Sequence, residues 1–229
     1  MTPLLARALH LYAALPLRER FHVRARGSSA PLLALVGRTP VGRVADVGCG
    51  HGLLSALLAL EDPRREVLGV DPDARKVQWA RQGPGQLPNA SFHPGTIEQL
   101  LPREAGRFDA VVVADVLYLL PEAALRSFLA AAHALLRPGG VLVLNEAEAD
   151  GSWRALKWRA QEEVMVRLLR RTHGSGALGP LPRAQLVQRL EAAGFRVSEV
   201  QSLARGYTSP HLLVCALKAA GPAEGNSSR

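Results

Sequence analysis

The sequence contains little cysteine and few aromatic residues, and it has no long uncharged hydrophobic run. Its two cysteines, Cys49 and Cys215, stand far apart among 229 residues, so they suggest neither a disulfide framework nor a pair of metal ligands. No uncharged stretch reaches the ~18 residues that a membrane-spanning helix requires. These absences argue against a disulfide-stapled secreted domain. They predict a cytoplasmic protein without a signal peptide or transmembrane helix.

The spacing of the histidines and the overall composition further limit the classes of protein to which this sequence can belong. Seven histidines are scattered along the chain, and no two are spaced to meet on one turn of a helix, so no metal site is predicted. Hydrophobic residues make up 48% of the chain and charged residues 21%, which is close to the globular average. At this length the chain is expected to form one α/β domain around a single core.

Positive charge is concentrated near the N-terminus. The formal net charge is +8, and residues 1–43 hold seven arginines against a single acid, Glu19. We therefore expect residues 1–43 to form a basic helical cap. Such a charge favours an anionic partner, either nucleic acid or the surface of an anionic membrane. A GC-rich genome produces the same excess of arginine, so charge alone does not identify the partner.

From Arg43 onward, short runs rich in β-branched residues alternate with segments of helical periodicity. This alternation predicts βαβ units and a Rossmann-like, doubly wound sheet that is mostly parallel. The predicted strands of this region are Val44–Val47, Val67–Val70, Ala90–Phe92, Phe108–Val113 and Val141–Leu144. The predicted helical segments are Leu53–Leu60, Pro72–Arg81, a short turn at Ile97–Leu101, and Glu122–Leu136.

The alternation breaks after the fifth strand. A helix is predicted at Ser152–Arg171, within an insertion around 147–176, and a further helix at Arg183–Ala193. Two strands follow at Phe195–Leu203 and His211–Leu217. The connection between them is too short for a parallel crossover, so they are expected to be antiparallel. The predicted domain spans 44–217 and has seven strands with an antiparallel last strand, and the small polar residues 218–229 are expected to be disordered.

A glycine-rich turn follows the first predicted strand, in the run from Asp46 to Gly52. Glycine lets a ligand approach the backbone, and the helix that follows offers free N–H groups. The spacing is G-x-G-x-G, whereas a dinucleotide site prefers G-x-G-x-x-G. Asp46 stands two residues before the first glycine, where its charge would repel a pyrophosphate. A ligand that carries an ammonium group suits this turn better.

A second carboxylate ends the next strand. Asp71 follows Val67–Val70 about one βα unit after the glycine turn, where an acid commonly accepts hydrogen bonds from the two hydroxyls of a ribose. The ligand implied by the turn and by Asp71 is an adenosine that carries an amino acid. S-adenosylmethionine (SAM) is the common molecule of that description.

With these motifs, residues 41–146 resemble a class I SAM-dependent methyltransferase with the loop Asp-x-Gly-x-Gly-x-Gly, and the downstream residues 205–211 resemble a bacterial subgroup of that family. The resemblance implies a SAM site. Its implied cofactor-binding residues are Asp46, Gly48, Cys49, Gly50, Gly52, Asp71, Pro72, Thr96, Ile97, Asp115 and Val116. After the third strand the family has Gly-Asp-Ala where this chain has Gly95-Thr96-Ile97, so the polar contact to the adenine would pass to Thr96 or to the Ile97 amide.

Methyl transfer is an in-line displacement, so few catalytic side chains are compulsory, although an acceptor of high pKa requires a general base. The predicted bases near the edge of the sheet are Asp115, Tyr118 and Glu146. The alternatives are a backbone-holding role for Asp115 and a solvated strand end for Glu146. If flanking segments fold over the site, the further candidates are His22, His173 and His211, with Arg20 or Arg26 meeting the SAM carboxylate.

The sequence thus predicts O-, N- or C-methylation of a small metabolite, with a lipophilic one as the suggested type, by a monomer or a dimer. Two alternatives stay open: an RNA methyltransferase, suggested by the charge, and a SAM-binding scaffold without catalysis. The sequence argues against nucleic acid as the substrate, because no added RNA-binding module and no basic groove interleaved with aromatic residues is present. A dinucleotide oxidoreductase is disfavoured by the glycine spacing and by Asp46.

Overall fold

The computed structural model describes residues 1–148, 181–203 and 210–220. The described strands are β1 Arg43–Val47, β2 Glu66–Asp71, β3 Ala90–Pro94, β4 Phe108–Ala114, β5 Leu136–Ala147, β6 Phe195–Leu203 and β7 His211–Lys218. The described α-helices are α1 Pro3–His10, α2 Leu17–Ser29, α3 Leu32–Val36, α4 Leu53–Glu61, α5 Ala74–Gln82, α6 Leu101–Glu104, α7 Glu122–Leu135 and α8 Arg183–Ala192. Single 3-10 turns lie at Pro84–Gln86, Glu98–Leu100 and Leu117–Leu119.

The seven strands form one sheet in the order β3-β2-β1-β4-β5-β7-β6. Strands β1 to β5 pair in parallel, and β7 runs antiparallel to both β5 and β6. The predicted Rossmann-like fold with an antiparallel last strand is therefore confirmed. The strand order reverses between β1 and β4, and this reversal opens a crevice at the carboxyl ends of the parallel strands, where α/β folds place ligands.

Helices cover both faces of the sheet because the strand side chains alternate between two cores. Val111 and Val113 of β4 point into the core that contains Leu129 of α7 and Leu190 of α8. Ala110 and Val112 belong to the opposite core. That core is filled by α1, α3 and α4. The N-terminal helices are thus built into one face of the sheet through buried apolar residues.

Several observed boundaries differ from the predicted ones, and two of the differences have a clear cause in the structure. Helix α5 begins at Ala74, where a helix from Pro72 was expected, because the Asp73 side chain caps it by accepting from the Arg75 amide at 3.0 Å. Strand β5 begins at Leu136, five residues before the predicted start. Leu136 pairs with Phe108, and the register then shifts before Val141 pairs with Ala110. The turn Arg137–Gly140 is therefore an irregularity inside the strand.

Several sequence predictions fall outside the described residues, namely the helix Ser152–Arg171, His173, the motif at 205–209 and most of the C-terminal tail. The division of the chain into a cap, a domain with an insertion and a tail stays a prediction. Within the described part of the chain, no helix is long and apolar enough to cross a membrane.

Candidate functional site

The predicted ligand turn lies at the carboxyl end of β1, in the crevice of the sheet. The amides of Gly48 and Cys49 both donate to the Val70 carbonyl, at 2.8 and 3.1 Å. These bonds tie the turn to the end of β2. The three glycines have positive φ angles of 76°, 55° and 78°, which side-chain-bearing residues rarely adopt.

The three glycines serve different purposes. A Cβ on Gly48 would lie 2.4 Å from the Val116 side chain, and one on Gly52 would lie 2.7 Å from the ring of Phe92. These two glycines are required by packing inside the protein. A Cβ on Gly50 would have no described atom within 4 Å. Gly50 therefore leaves a side-chain-free space at the mouth of the crevice, as a turn that receives a ligand should.

Asp71 lies beside this space, at the end of β2. Its Oδ2 accepts from the Gly50 amide at 2.9 Å and its Oδ1 from the Asp73 amide at 2.8 Å. The residue is buried, with 7% of its surface exposed. Each carboxylate oxygen has a second lone pair, so Asp71 can shape the turn and still accept hydrogen bonds from a ligand.

Asp46 faces the start of α4. Its carboxylate accepts from the Ser55 hydroxyl at 2.5 Å, and it is 2% exposed. Burial raises the pKa of Asp46 to about 6, although the hydrogen bonds from Ser55 act in the opposite direction. The structure thus shows Asp46 anchoring α4 beneath the turn. The thiol of Cys49 is buried as well, and burial raises its pKa well above the usual value.

Asp115 ends β4 on the other side of the crevice in a strained conformation. Its φ of 56° is the only positive φ of a non-glycine residue among the described residues. Its carboxylate forms an ion pair with Arg26 of α2, and Arg26 also donates to the Ala114 carbonyl at 3.3 Å. Such strain persists where surrounding contacts fix it, and it is common at ligand sites.

A buried polar chain holds Asp115 from below. The Asn145 amide nitrogen donates to Asp115 Oδ1 at 3.2 Å and lies 3.2 Å from His211 Nδ1. His211 Nε2 is 3.2 Å from the Ser29 carbonyl, which fixes the tautomer with the proton on Nε2. Burial lowers the pKa of His211, which favours the neutral ring. The Asn145 side-chain oxygen is fully buried and has no hydrogen-bond donor among the described residues.

Glu146 holds the turn that follows β4. Its carboxylate accepts from the amides of Val116 at 2.9 Å, Leu117 at 2.8 Å and Tyr118 at 3.4 Å. The residue is 5% exposed, so the alternative of a solvated strand end is wrong. Burial, and secondarily the nearby Asp115 carboxylate, raises the pKa of Glu146 to about 8. The side chain organises backbone at the site.

The N-terminal helices reach the glycine turn through His51. The Tyr12 hydroxyl, after α1, donates to the His51 carbonyl at 2.9 Å and is 1% exposed. Glu19 of α2 lies 2.9 Å from His51 Nε2, and the His22 ring lies 5.0 Å from the His51 ring. Together with the Arg26 ion pair, these contacts place α1 and α2 against both loops that border the crevice.

The remaining predicted residues lie around the same edge. Pro72 follows Asp71 and is exposed; Thr96 is exposed, and its amide donates to the Gln99 side chain at 2.9 Å. Ile97 is 2% exposed and belongs to the core beneath α7, so only its backbone is a candidate for contact with a base. Arg20 is exposed on α2 and, unlike Arg26, forms no ion pair among the described contacts. Their ligand roles stay predictions.

Sequence reasoning missed four residues of this edge, namely Tyr12, Ser55, His51 and Asn145. Ser55 and His51 carried a local signal, because His51 lies within the glycine motif and Ser55 follows it by three residues. Tyr12 and Asn145 carried none, since their partners lie 39 and 66 residues away in the chain. In the described ranges, no cluster of three or more His, Cys, Asp or Glu side chains is arranged to hold a metal ion.

Comparison with known proteins gives one family. Residues 44–140 match the family described as Methyltransferase domain. The chain is 37% identical over 130 residues to trans-aconitate 2-methyltransferase of Deinococcus radiodurans, covering 56% of this chain and 47% of that protein. It is 32% identical over 165 residues to the ubiquinone biosynthesis O-methyltransferase of Rhodopseudomonas palustris, covering 70% of this chain and 61% of that protein. The chain thus spans less than two thirds of either relative.

A solved structure shares the fold. The 1,6-didemethyltoxoflavin-N1-methyltransferase of Burkholderia thailandensis, with bound 1,6-didemethyltoxoflavin and S-adenosylhomocysteine, superposes with a TM-score of 0.59. The match covers 85% of this chain and 78% of that chain at 23% identity.

Proposed function

We propose that the chain is a class I SAM-dependent methyltransferase that transfers a methyl group from SAM to a small-molecule acceptor. The match of residues 44–140 to the family described as Methyltransferase domain and the similarity to two methyltransferases support this proposal. The observation that carries the proposal is the juxtaposition of Gly50 and Asp71. Open space lies where a Cβ of Gly50 would stand, and a buried carboxylate lies within hydrogen-bond distance of that residue's amide. A glycine-rich turn beside an acid suits a ribose joined to an amino acid.

The described residues fit SAM on both sides of the crevice. On one side, the turn Gly48–Gly52 and Asp71 would hold the methionine and ribose parts. On the other, at the carboxyl ends of β4 and β5, the Asp115 carboxylate and Asn145 Oδ1 are buried acceptors, and Asn145 Oδ1 has no donor among the described residues. A buried acceptor without a donor is costly, and a donor from a ligand would satisfy it. Arg26 of α2, while paired with Asp115, can offer its remaining guanidinium N–H groups to the ligand's carboxylate.

When bound, SAM supplies a sulfonium whose methyl group is open to displacement by a nucleophile. The protein then has to hold the acceptor in line with that methyl group and exclude water. Helices α1 and α2 are placed to help, since Tyr12, Glu19 and Arg26 bind the two loops that border the crevice. The buried chain from His211 to Asp115 keeps the far loop in its strained shape.

Three of the candidates for a general base are already engaged by other groups of the protein. Glu146 accepts from three backbone amides, Asp115 pairs with Arg26, and His211 is fixed between Asn145 and Ser29. This arrangement supports an acceptor oxygen that is ionised before it binds, such as a carboxylate or an acidic phenol. The relatives are consistent with that class, because one is named for trans-aconitate and the other is an O-methyltransferase.

The test is release of S-adenosylhomocysteine from SAM in the presence of a panel of acceptors. The panel would contain trans-aconitate, acidic phenols, simple amines and total RNA. The proposal predicts turnover with a carboxylate or a phenol and none with RNA. Methylation of RNA would establish the nucleic-acid alternative. Binding of the cofactor with no turnover on any acceptor would favour a scaffold.

A further inference from the structure

Helix α2 presents two large apolar side chains to solvent. Leu17 is 77% exposed and Phe21 is 75% exposed, more than any described large apolar residue except Met1. They are four residues apart, so they lie on the same side of the helix. The opposite side is the one that packs on the protein, where Val23 is 1% exposed. The apolar pair therefore projects away from the fold.

Arginines flank this pair on both sides. Arg18, Arg20 and Arg24 are exposed, and at 3.6 residues per turn they border the stripe formed by Leu17 and Phe21. The single acid of the helix, Glu19, lies 2.9 Å from His51 Nε2, and its side chain is 13% exposed. Its other carboxylate oxygen pairs with Arg18 at 3.1 Å, and the Arg18 side chain stays 92% exposed. The outward face of α2 thus combines positive charge with apolar surface, while the carboxylate of Glu19 contacts His51 on the inward side.

We propose that this outward face of α2 docks on an anionic lipid surface. Arginines would meet the lipid phosphates while Leu17 and Phe21 enter the boundary between headgroups and acyl chains, as in interfacial amphipathic helices. Each basic residue near such a surface contributes about fivefold to binding. An RNA partner explains the arginines and leaves Leu17 unexplained, because an aliphatic side chain offers no surface for base stacking.

The docking would also orient the proposed active site. The same helix carries Glu19 to the glycine turn and Arg26 to Asp115, so the crevice lies directly behind the docking face. If the proposed methyltransferase function holds, this placement favours an amphiphilic acceptor, with an ionised oxygen and an apolar tail that partitions into membranes. That extension rests on the proposed function; the docking itself does not.

The experiment is sedimentation of the full chain with phosphatidylcholine vesicles, with and without phosphatidylglycerol. We expect binding to the phosphatidylglycerol vesicles that weakens as salt is raised. The double variant Leu17→Ser/Phe21→Ser should bind at least tenfold more weakly, and so should Arg18→Gln/Arg24→Gln. The matched control is Val41→Ser/Leu119→Ser, which removes two apolar residues exposed by 40% and 42% elsewhere and should bind normally.

Any of three other results would overturn the proposal that α2 docks on lipid. Absence of sedimentation, equal sedimentation with neutral vesicles, or unchanged binding of the Leu17/Phe21 variant would each contradict it. A gel shift with RNA that Phe21→Ser abolishes, without vesicle binding, would assign the face to nucleic acid. Calorimetry with S-adenosylhomocysteine in parallel separates the two proposals. A variant that binds this ligand normally and ignores vesicles is folded, and its result concerns the surface alone.

Discussion

The carboxylate of Asp71 accepts a hydrogen bond from the amide of Gly50 at 2.9 Å. This bond joins the end of β2 to the turn after β1, two neighbouring parallel strands. It means that the acid predicted to bind a ribose also fixes the backbone on which the rest of the ligand would lie. Shape and recognition at this edge therefore depend on the same side chain.

Replacing Asp71 with Ala should weaken the binding of S-adenosylhomocysteine by about tenfold or more, because charged hydrogen bonds to ligand and turn are both lost. Asp71→Asn should also bind more weakly, since both carboxylate oxygens accept from backbone amides and an amide side chain has a single acceptor oxygen. Titration calorimetry measures the effect. Asp62→Ala, at a surface acid paired with Arg64, is the control. Equal affinity in Asp71→Ala would refute the ribose role.

Replacing Gly50 with Val should abolish binding while the sheet stays folded, because the added side chain would occupy the open space of the crevice. The matched control is Gly106→Val. Gly106 also has a positive φ, of 70°, and a Cβ added to it would meet open space. It lies in the turn before β4, at the amino end of that strand and therefore away from the crevice. The two variants share the backbone strain, so normal binding by both would show that the ligand turn is misplaced.

Glu146 should make stability fall as pH rises. In the unfolded chain its carboxyl releases the proton near the usual pKa of 4.5, whereas the folded protein holds the proton until pH about 8. Between these values the folded state binds more protons, so unfolding becomes easier with rising pH, by up to about 1.4 kcal/mol per pH unit. Glu146→Gln removes the titrating group and should flatten this dependence.

The measurement is urea unfolding of wild type and Glu146→Gln at pH about 5 and about 8. The wild type should lose stability relative to the variant at the higher pH. Glu98→Gln, at an exposed carboxylate, should behave as wild type. Parallel pH curves for wild type and Glu146→Gln would contradict a raised pKa at Glu146.

Tyr12→Phe should lower the free energy of unfolding by about 1 to 3 kcal/mol, because the buried His51 carbonyl would lose its donor. The affinity for S-adenosylhomocysteine should also fall, since His51 belongs to the glycine turn. Ser28→Ala removes an exposed hydroxyl that donates to the Arg24 carbonyl, and it should change neither quantity. Full stability in Tyr12→Phe would mean that α1 does not support the turn.

The local parts of the site could be predicted from the sequence. The glycine turn and Asp71 are encoded by short spacings within one βα unit, and the alternation of β-branched runs with helical segments indicated the first five strands. The long start of β5 could not be predicted, since Leu136 enters the sheet by pairing with Phe108, across the whole of α7. A strand boundary set by a distant partner leaves no signal in the adjoining residues.

The contacts that close the site are non-local for the same reason. Arg26 reaches the end of β4 across 88 residues, and Asn145 meets His211 across 66. The charge excess of residues 1–43 indicated a basic cap. It did not show that Glu19 would turn inward and Phe21 outward. Glu146 illustrates a further limit, because its carboxylate was a candidate base in the sequence and holds three backbone amides in the fold.

The most direct test is calorimetric titration of the purified chain with S-adenosylhomocysteine, NAD and ATP in turn, repeated with Gly50→Val. We predict saturable binding of S-adenosylhomocysteine to the wild type, its loss in Gly50→Val, and no heat of binding with the other two. Binding of NAD or ATP in place of S-adenosylhomocysteine would contradict the assignment of the crevice to a cationic adenosyl amino acid.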